Sequence, residues 1–92
     1  DFSASWCLPC LELDKKTFSD PRVRAALSLR GLYKADMTRA AAAETVALAD
    51  RFGILGVPTV IFLDASGKEQ TDLRLVGFEG PDEFLKRLER AP

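Results

Sequence analysis

Two cysteines, Cys7 and Cys10, stand with two residues between them in the stretch SASWCLPCLELDKKTF. Trp6 precedes the first and Pro9 the second. Such a pair can clip a metal, staple a turn or react. Structural zinc takes four Cys or His ligands. This chain has two cysteines and no histidine, so a site would have to recruit two carboxylates or a second chain. A staple across about four residues is worth roughly 2 kcal/mol on chain entropy, against about 3 for fifteen, and restrains little beyond its own turn. A reacting dithiol needs one reachable sulfur and a second close enough to bridge to it. Cys7 falls just before a predicted helix starting at Leu8, where unpaired N–H groups and the helix dipole favour an anion. Cys10 lies one turn in, is expected to be the less exposed, and could resolve a mixed disulfide formed on Cys7.

The elements that must hold this pair can be read in order. Asp1 to Ala4 reads as a strand end. Leu8 to Phe18 reads as a helix, with Pro9 tolerated in its first turn. Ser19-Asp20-Pro21 is a helix start, a capping side chain followed by proline at the first helical position. That helix, with Val23 and Leu27 inward, stops near Gly31. GLYKADM, Gly31 to Met37, alternates like a strand. Thr38 is a candidate cap for a helix from about Arg39 to Phe52. Ala40 to Ala43 favour it, Val46, Ala49 and Phe52 form its apolar stripe, and Gly53 ends it. TVIFLD, Thr59 to Asp64, is a continuous apolar run suited to a central strand buried on both faces. A turn at Ala65 to Lys68 leads into a returning strand, Leu73 to Phe78. Gly80-Pro81-Asp82-Glu83 opens a last helix. It carries Phe84, Leu85 and Leu88 on one side and Lys86, Arg87 and Arg90 toward its end, the charge order that the helix dipole favours. Val23, Leu27, Val46, Phe52, Phe84 and Leu88 are expected in the core. The order strand, helix, helix, strand, helix, strand, strand, helix predicts an α/β sandwich with a parallel part and an antiparallel hairpin.

The 92 residues fit one small domain, expected to be a monomer. A net charge of −1 gives no reason to expect nucleic acid or an acidic membrane surface as partner. No run approaches the roughly 18 apolar residues of a membrane helix. The chain opens at Asp1-Phe2-Ser3 with no initiator methionine. It is expected to be a piece of a longer chain, with a first strand, a leader or membrane segments upstream.

With these residues in view, DFSASWCLPC resembles the active-site segment of thioredoxins. GVPT, Gly56 to Thr59, resembles the thioredoxin loop whose proline is cis and sits against the cysteines. CLELDKKTFSDPRVRAAL, LYKADMT, VALADRFGILGVPTVIFLD and VGFEGPDEFLKRL resemble the C-terminal domain of the DsbD-type thiol:disulfide interchange proteins. The resemblance covers nearly the whole chain. It implies a thioredoxin fold, a central mixed sheet flanked by helices with its first strand missing or truncated ahead of Asp1. It also implies a periplasmic domain that takes electrons from a membrane domain of the same chain and passes them to a disulfide-bearing protein or domain.

The resemblance extends residue by residue. Asp1 matches the buried strand carboxylate that assists proton transfer at the second cysteine; an exposed terminal aspartate is the alternative. Asp14, one turn beyond Cys10 on the same helix face, matches an acidic position near the site; a solvated helix charge is the alternative. Trp6 is expected to pack beside the cysteines, as a flank of the site or simply as core. Val57-Pro58 is expected to be cis, exposing the Val57 backbone for pairing with an extended substrate segment; a trans proline opening a strand is the alternative.

The expected function is protein-disulfide reduction, with Cys7 attacking, Cys10 resolving, and neither bound cofactor nor metal required. Carboxylates near the pair and the absence of histidine point to a reductant rather than an oxidant. A stand-alone thioredoxin-like reductase, periplasmic or cytoplasmic, is one alternative. A binding module that uses the fold's groove without turnover is the other.

Overall fold

A computed structural model describes residues 1–38 and 42–91. Four strands form one sheet: β1 (Phe2–Ser3), β2 (Ala35–Asp36), β3 (Thr59–Val60) and β4 (Leu75–Val76), in the order β2-β1-β3-β4. β1 and β2 run parallel, Phe2 opposite Ala35 and Ser3 opposite Asp36. β3 is antiparallel to both neighbours, with Phe2 opposite Thr59 and Val60 opposite Leu75. The helices are α1 (Leu8–Glu12), α2 (Pro21–Leu27), α3 (Ala43–Phe52) and α4 (Pro81–Arg90). This is the predicted order of elements, with the parallel pair and the antiparallel hairpin both present.

Local chemistry explains most boundaries. Asp20 caps α2 by accepting from the Arg22 N–H at 2.8 Å, and Pro21 fills the first position, where no N–H is needed. Gly53 ends α3 at φ 62°, a left-handed conformation that glycine adopts without a Cβ clash. Asp64 closes the turn between β3 and β4 by accepting from the backbone N–H groups of Ser66 and Lys68. Pro81 opens α4, with Asp82 and Glu83 in its first turn and Arg87 and Arg90 in its last.

The structure shortens and rewinds several predicted elements. The helix begun at Leu8 is α-helical only to Glu12. Leu13–Thr17 winds as a π-helix, closed by the Phe18 N–H on the Leu13 carbonyl at 2.8 Å. α2 ends at Leu27 rather than near Gly31. The cap of α3 is Ala42, not Thr38; Arg39 to Ala41 of the predicted helix lie outside the described residues. Thr38 instead spends its hydroxyl on Asp36 and on the Ser5 N–H. Val46 is 45% exposed, so α3 buries Ala49 and half-buries Phe52 without it. TVIFLD is a strand only at Thr59–Val60, where β4 pairs with both residues and β1 with Thr59 alone; Leu63 adds an isolated bridge to Glu69. Beyond Val60 the chain lines a groove with Leu32 and Tyr33, and Leu63 is 49% exposed.

One face of the sheet carries the main core. Leu13, Val23, Val60, Leu75, Phe84 and Leu88 are buried together, with Phe18, Leu27 and Phe62 packed against them. Phe84 meets Phe18 edge-on at 5.4 Å and Phe62 at 6.2 Å between ring centroids. A smaller cluster of Ala4, Cys7 and Cys10, with Val57 against it, holds the cysteine pair.

Candidate functional site: a dithiol at a helix start

Cys7 is the cap of α1. Its backbone is extended, at φ −91° and ψ 110°, and its sulfur accepts from the Cys10 N–H at 3.2 Å. One of the unpaired donors of the first turn therefore points at sulfur, the arrangement that favours a thiolate there. Pro9 supplies no N–H to compete. The Cys7 N–H returns to the Ala4 carbonyl at 3.2 Å, tying the turn after β1 to the helix start. Cys7 and Cys10 form a disulfide across a Cα–Cα distance of 5.2 Å, inside the range that a bridge requires.

Exposure does not separate the two sulfurs as expected. Cys7 is 4% and Cys10 3% exposed. What distinguishes them is position: Cys7 receives the amide and Cys10 supplies it. Val57 is half-buried against the pair, and the Val57-Pro58 bond is cis.

Of the two readings of Trp6, core packing is not what the structure shows. The residue is 67% exposed, and its indole Nε1 donates to the Thr38 carbonyl at 3.0 Å. Its ring is displayed to solvent rather than packed in the core. Leu8 is also exposed, and Leu55, two residues before Val57, is fully so. The sequence reading gave these two leucines no role. Trp6 and Leu8 give Cys7 an exposed apolar rim on each side along the chain, and Leu55 is exposed ahead of the Val57-Pro58 turn.

The two carboxylates are differently placed. Asp1 is half-buried, and its Oδ1 is a buried oxygen without a hydrogen-bond partner. Asp14 faces Lys34, its Oδ1 at 2.5 Å from the Lys34 Nζ. The sequence reading had Lys34 only as a position of the GLYKADM strand, not at the site. Among the described residues, no group of three or more His, Cys, Asp and Glu side chains is arranged to hold a metal ion.

Comparison with known proteins gives one answer at three levels. The family model for the thioredoxin-like domain matches residues 1–92. The thiol:disulfide interchange protein DsbD of Ralstonia nicotianae is 48% identical over 91 residues, which cover 99% of this chain and 15% of that protein. The chain spans only 15–16% of the length of such curated relatives. Among solved structures, the C-terminal domain of Neisseria meningitidis DsbD is 30% identical and covers this whole chain, which spans 77% of that domain. The TM-score is 0.86 to its reduced form and 0.85 to its oxidised form. The chain belongs to the thioredoxin-like domain family, and within it to the C-terminal domains of DsbD-type thiol:disulfide interchange proteins.

Proposed function

We propose that this is one redox domain that reduces disulfides in a partner protein or domain, as the C-terminal part of a DsbD-type protein facing the periplasm. The observation that carries this is the Cys10 N–H aimed at Cys7 Sγ at 3.2 Å, at a helix start beside Val57. In the reduced form the Cys7 thiolate attacks one sulfur of the partner's disulfide. The partner's S–S bond breaks, a mixed disulfide forms, and the other partner sulfur leaves as a thiolate. The Cys10 thiolate then attacks Cys7 Sγ and expels the second partner sulfur. Two electrons pass to the partner, its two thiolates take up protons, and Cys7–Cys10 is left oxidised. A membrane domain of the same chain returns the electrons. No bound cofactor enters these steps.

Asp1 would take the proton that Cys10 must lose, consistent with a buried Oδ1 that no donor engages. Asp14 adds negative charge one turn beyond Cys10 and opposes the thiolate. Trp6, Val57 and Pro58 would line the seat of the partner's extended segment. Val57 packs on the sulfurs, and no backbone hydrogen bond is formed by Val57 among the described residues.

The domain, reduced and freed of small thiols, should reduce insulin or a model protein disulfide stoichiometrically. No reduction would remove the proposal in favour of a binding module. Equilibration with glutathione should give a potential of about −270 to −200 mV, the range of thioredoxin and glutaredoxins. A value near −120 mV, that of a strong oxidant, would reverse the proposed direction of electron flow.

A further inference from the structure

Lys34 stands between the two carboxylates assigned to the dithiol. On one side its Nζ pairs with Asp14, with the two side chains 46% and 40% exposed. On the other side it is the strand partner of Asp1. The Asp1 amine donates to the Tyr33 carbonyl at 2.8 Å, and the Ala35 N–H donates to the Asp1 carbonyl at 2.8 Å. Bonds to the residues before and after Lys34 put Lys34 itself opposite Asp1 in the parallel ladder, both side chains on one face of the sheet. Its stem runs past Phe18, the Nζ lying 6.0 Å from that ring's centroid.

We propose that Lys34 is a positioning residue for the dithiol, holding the Asp14 carboxylate beside the start of β2 and so limiting how far that charge opposes ionisation of Cys7. This rests on the dithiol function proposed above. The reasoning is one of geometry. Asp14 shares a helix face with Cys10, four residues away, so a freed carboxylate can turn toward the sulfurs. A cation fixed just ahead of β2 draws it away. Two other carboxylates of the neighbouring elements are engaged elsewhere. Asp36 of β2 accepts from Thr38, and Glu12 of α1 pairs with Lys16 at 3.2 Å. Ala4 and Val57, which touch the cysteines from the other elements, carry no charge. As a surface pair, Asp14–Lys34 contributes little to stability, so a change in the site's chemistry is separable from a loss of fold.

The test is the pH dependence of Cys7 alkylation in the reduced domain, in four backgrounds: the parent, Lys34→Met, Asp14→Asn and the double variant. Methionine keeps the stem over Phe18 and removes only the charge. Lys34→Met should raise the Cys7 pKa by roughly half a unit, the size of one charge acting through a solvated protein surface. In the Asp14→Asn background the same change should move it by clearly less, and Lys34→Arg should restore the parent profile. A Cys7 pKa unmoved by Lys34→Met overturns the proposal. So does an equal shift in both backgrounds, which would make Lys34 a direct neighbour of the sulfur rather than a holder of Asp14. Alkylation needs no partner protein, so either result is distinct from a failure of the reductase reading, which is scored by insulin reduction of the parent.

Discussion

Thr17 and Glu79, 62 positions apart in the chain, are joined by a hydrogen bond of 2.5 Å from the threonine hydroxyl to the glutamate carbonyl. Thr17 is fully buried at the end of the π-helical segment, and Glu79 lies just ahead of α4. The bond fixes the far end of the dithiol helix to the loop that delivers α4. Arg87 braces the same loop from α4, its guanidinium bidentate on Glu79 at 3.0 and 2.7 Å and donating to the Leu73 carbonyl at 2.9 Å.

Replacing Thr17 with valine keeps the shape and removes the donor. The Glu79 carbonyl then loses its partner in a partly buried site, at a cost of about 1–3 kcal/mol. Urea unfolding of Thr17→Val should show that loss with an unchanged slope. A neutral substitution would mean that water replaces the hydroxyl.

The division of labour between the cysteines predicts asymmetric trapping. Cys10→Ser should accumulate a mixed disulfide between Cys7 and a disulfide-bearing protein, because the resolving sulfur is gone. Cys7→Ser should accumulate none. Non-reducing electrophoresis reads both, and equal trapping would show that the pair's near-equal burial, rather than its place on the helix, governs reactivity.

The apolar rim predicts a split between large and small substrates. Trp6→Ala and Leu8→Ser should slow reduction of a protein disulfide by roughly 3- to 10-fold, the loss of one modest apolar contact each. Reduction of a small aromatic disulfide should stay within about twofold. Equal slowing of both would place these side chains in the chemistry rather than in docking.

Phe84 is the centre of the core, 1% exposed between Phe18 and Phe62. Phe84→Ala should cost about 3–5 kcal/mol. A domain of this size has few such units in reserve, so the variant should be largely unfolded near body temperature by circular dichroism.

Acid stability should depend on three carboxylates. Hydrogen bonds hold the folded carboxyls below their usual 3.8: from the Ser66 hydroxyl first for Asp64, from the Arg22 guanidinium first for Asp20, and from the Thr38 hydroxyl first for Asp36. Each folded value lies below the unfolded one, so the unfolded chain binds more protons between them. The stabilisation is fully present above the unfolded value and disappears as pH falls through the folded one. Thermal melts should therefore drop below about pH 4, the range where solvated aspartates titrate. Asp64→Asn should melt lower at pH 7 and lose less on acidification. An unchanged acid limb in that variant would exclude Asp64 as a contributor.

What could be read from sequence follows from how local each cause is. The start of α2 was legible because Asp20 and Pro21 act within one turn, and the end of α3 because Gly53 takes a conformation that other residues resist. The dithiol turn was legible for the same reason. The π-winding after Glu12 was not, and the segment's end is tied by Thr17 to a carbonyl 62 positions away, which no local pattern records. Strand length at TVIFLD depends on what lies beside it, and hydrophobicity alone carries no information about a partner's length. The exposure of Trp6 and the pairing of Lys34 were not legible because each depends on a distant residue, Trp6 on the Thr38 carbonyl and Lys34 on Asp14. Charges at a site can be counted along the chain, but their counter-charges come from wherever the fold brings them.

The amide of Cys10 faces Cys7 Sγ while the disulfide is closed. When the bond opens, the same donor meets a sulfur bearing negative charge, and the helix start need not be rebuilt. A donor already in place costs no reorganisation at the moment of reaction. The bond is stronger to the charged sulfur than to the disulfide, so the turn leans toward the reduced state without changing its shape. It behaves as a conductor, and the direction of the current is set by the potentials of whatever is connected at either end.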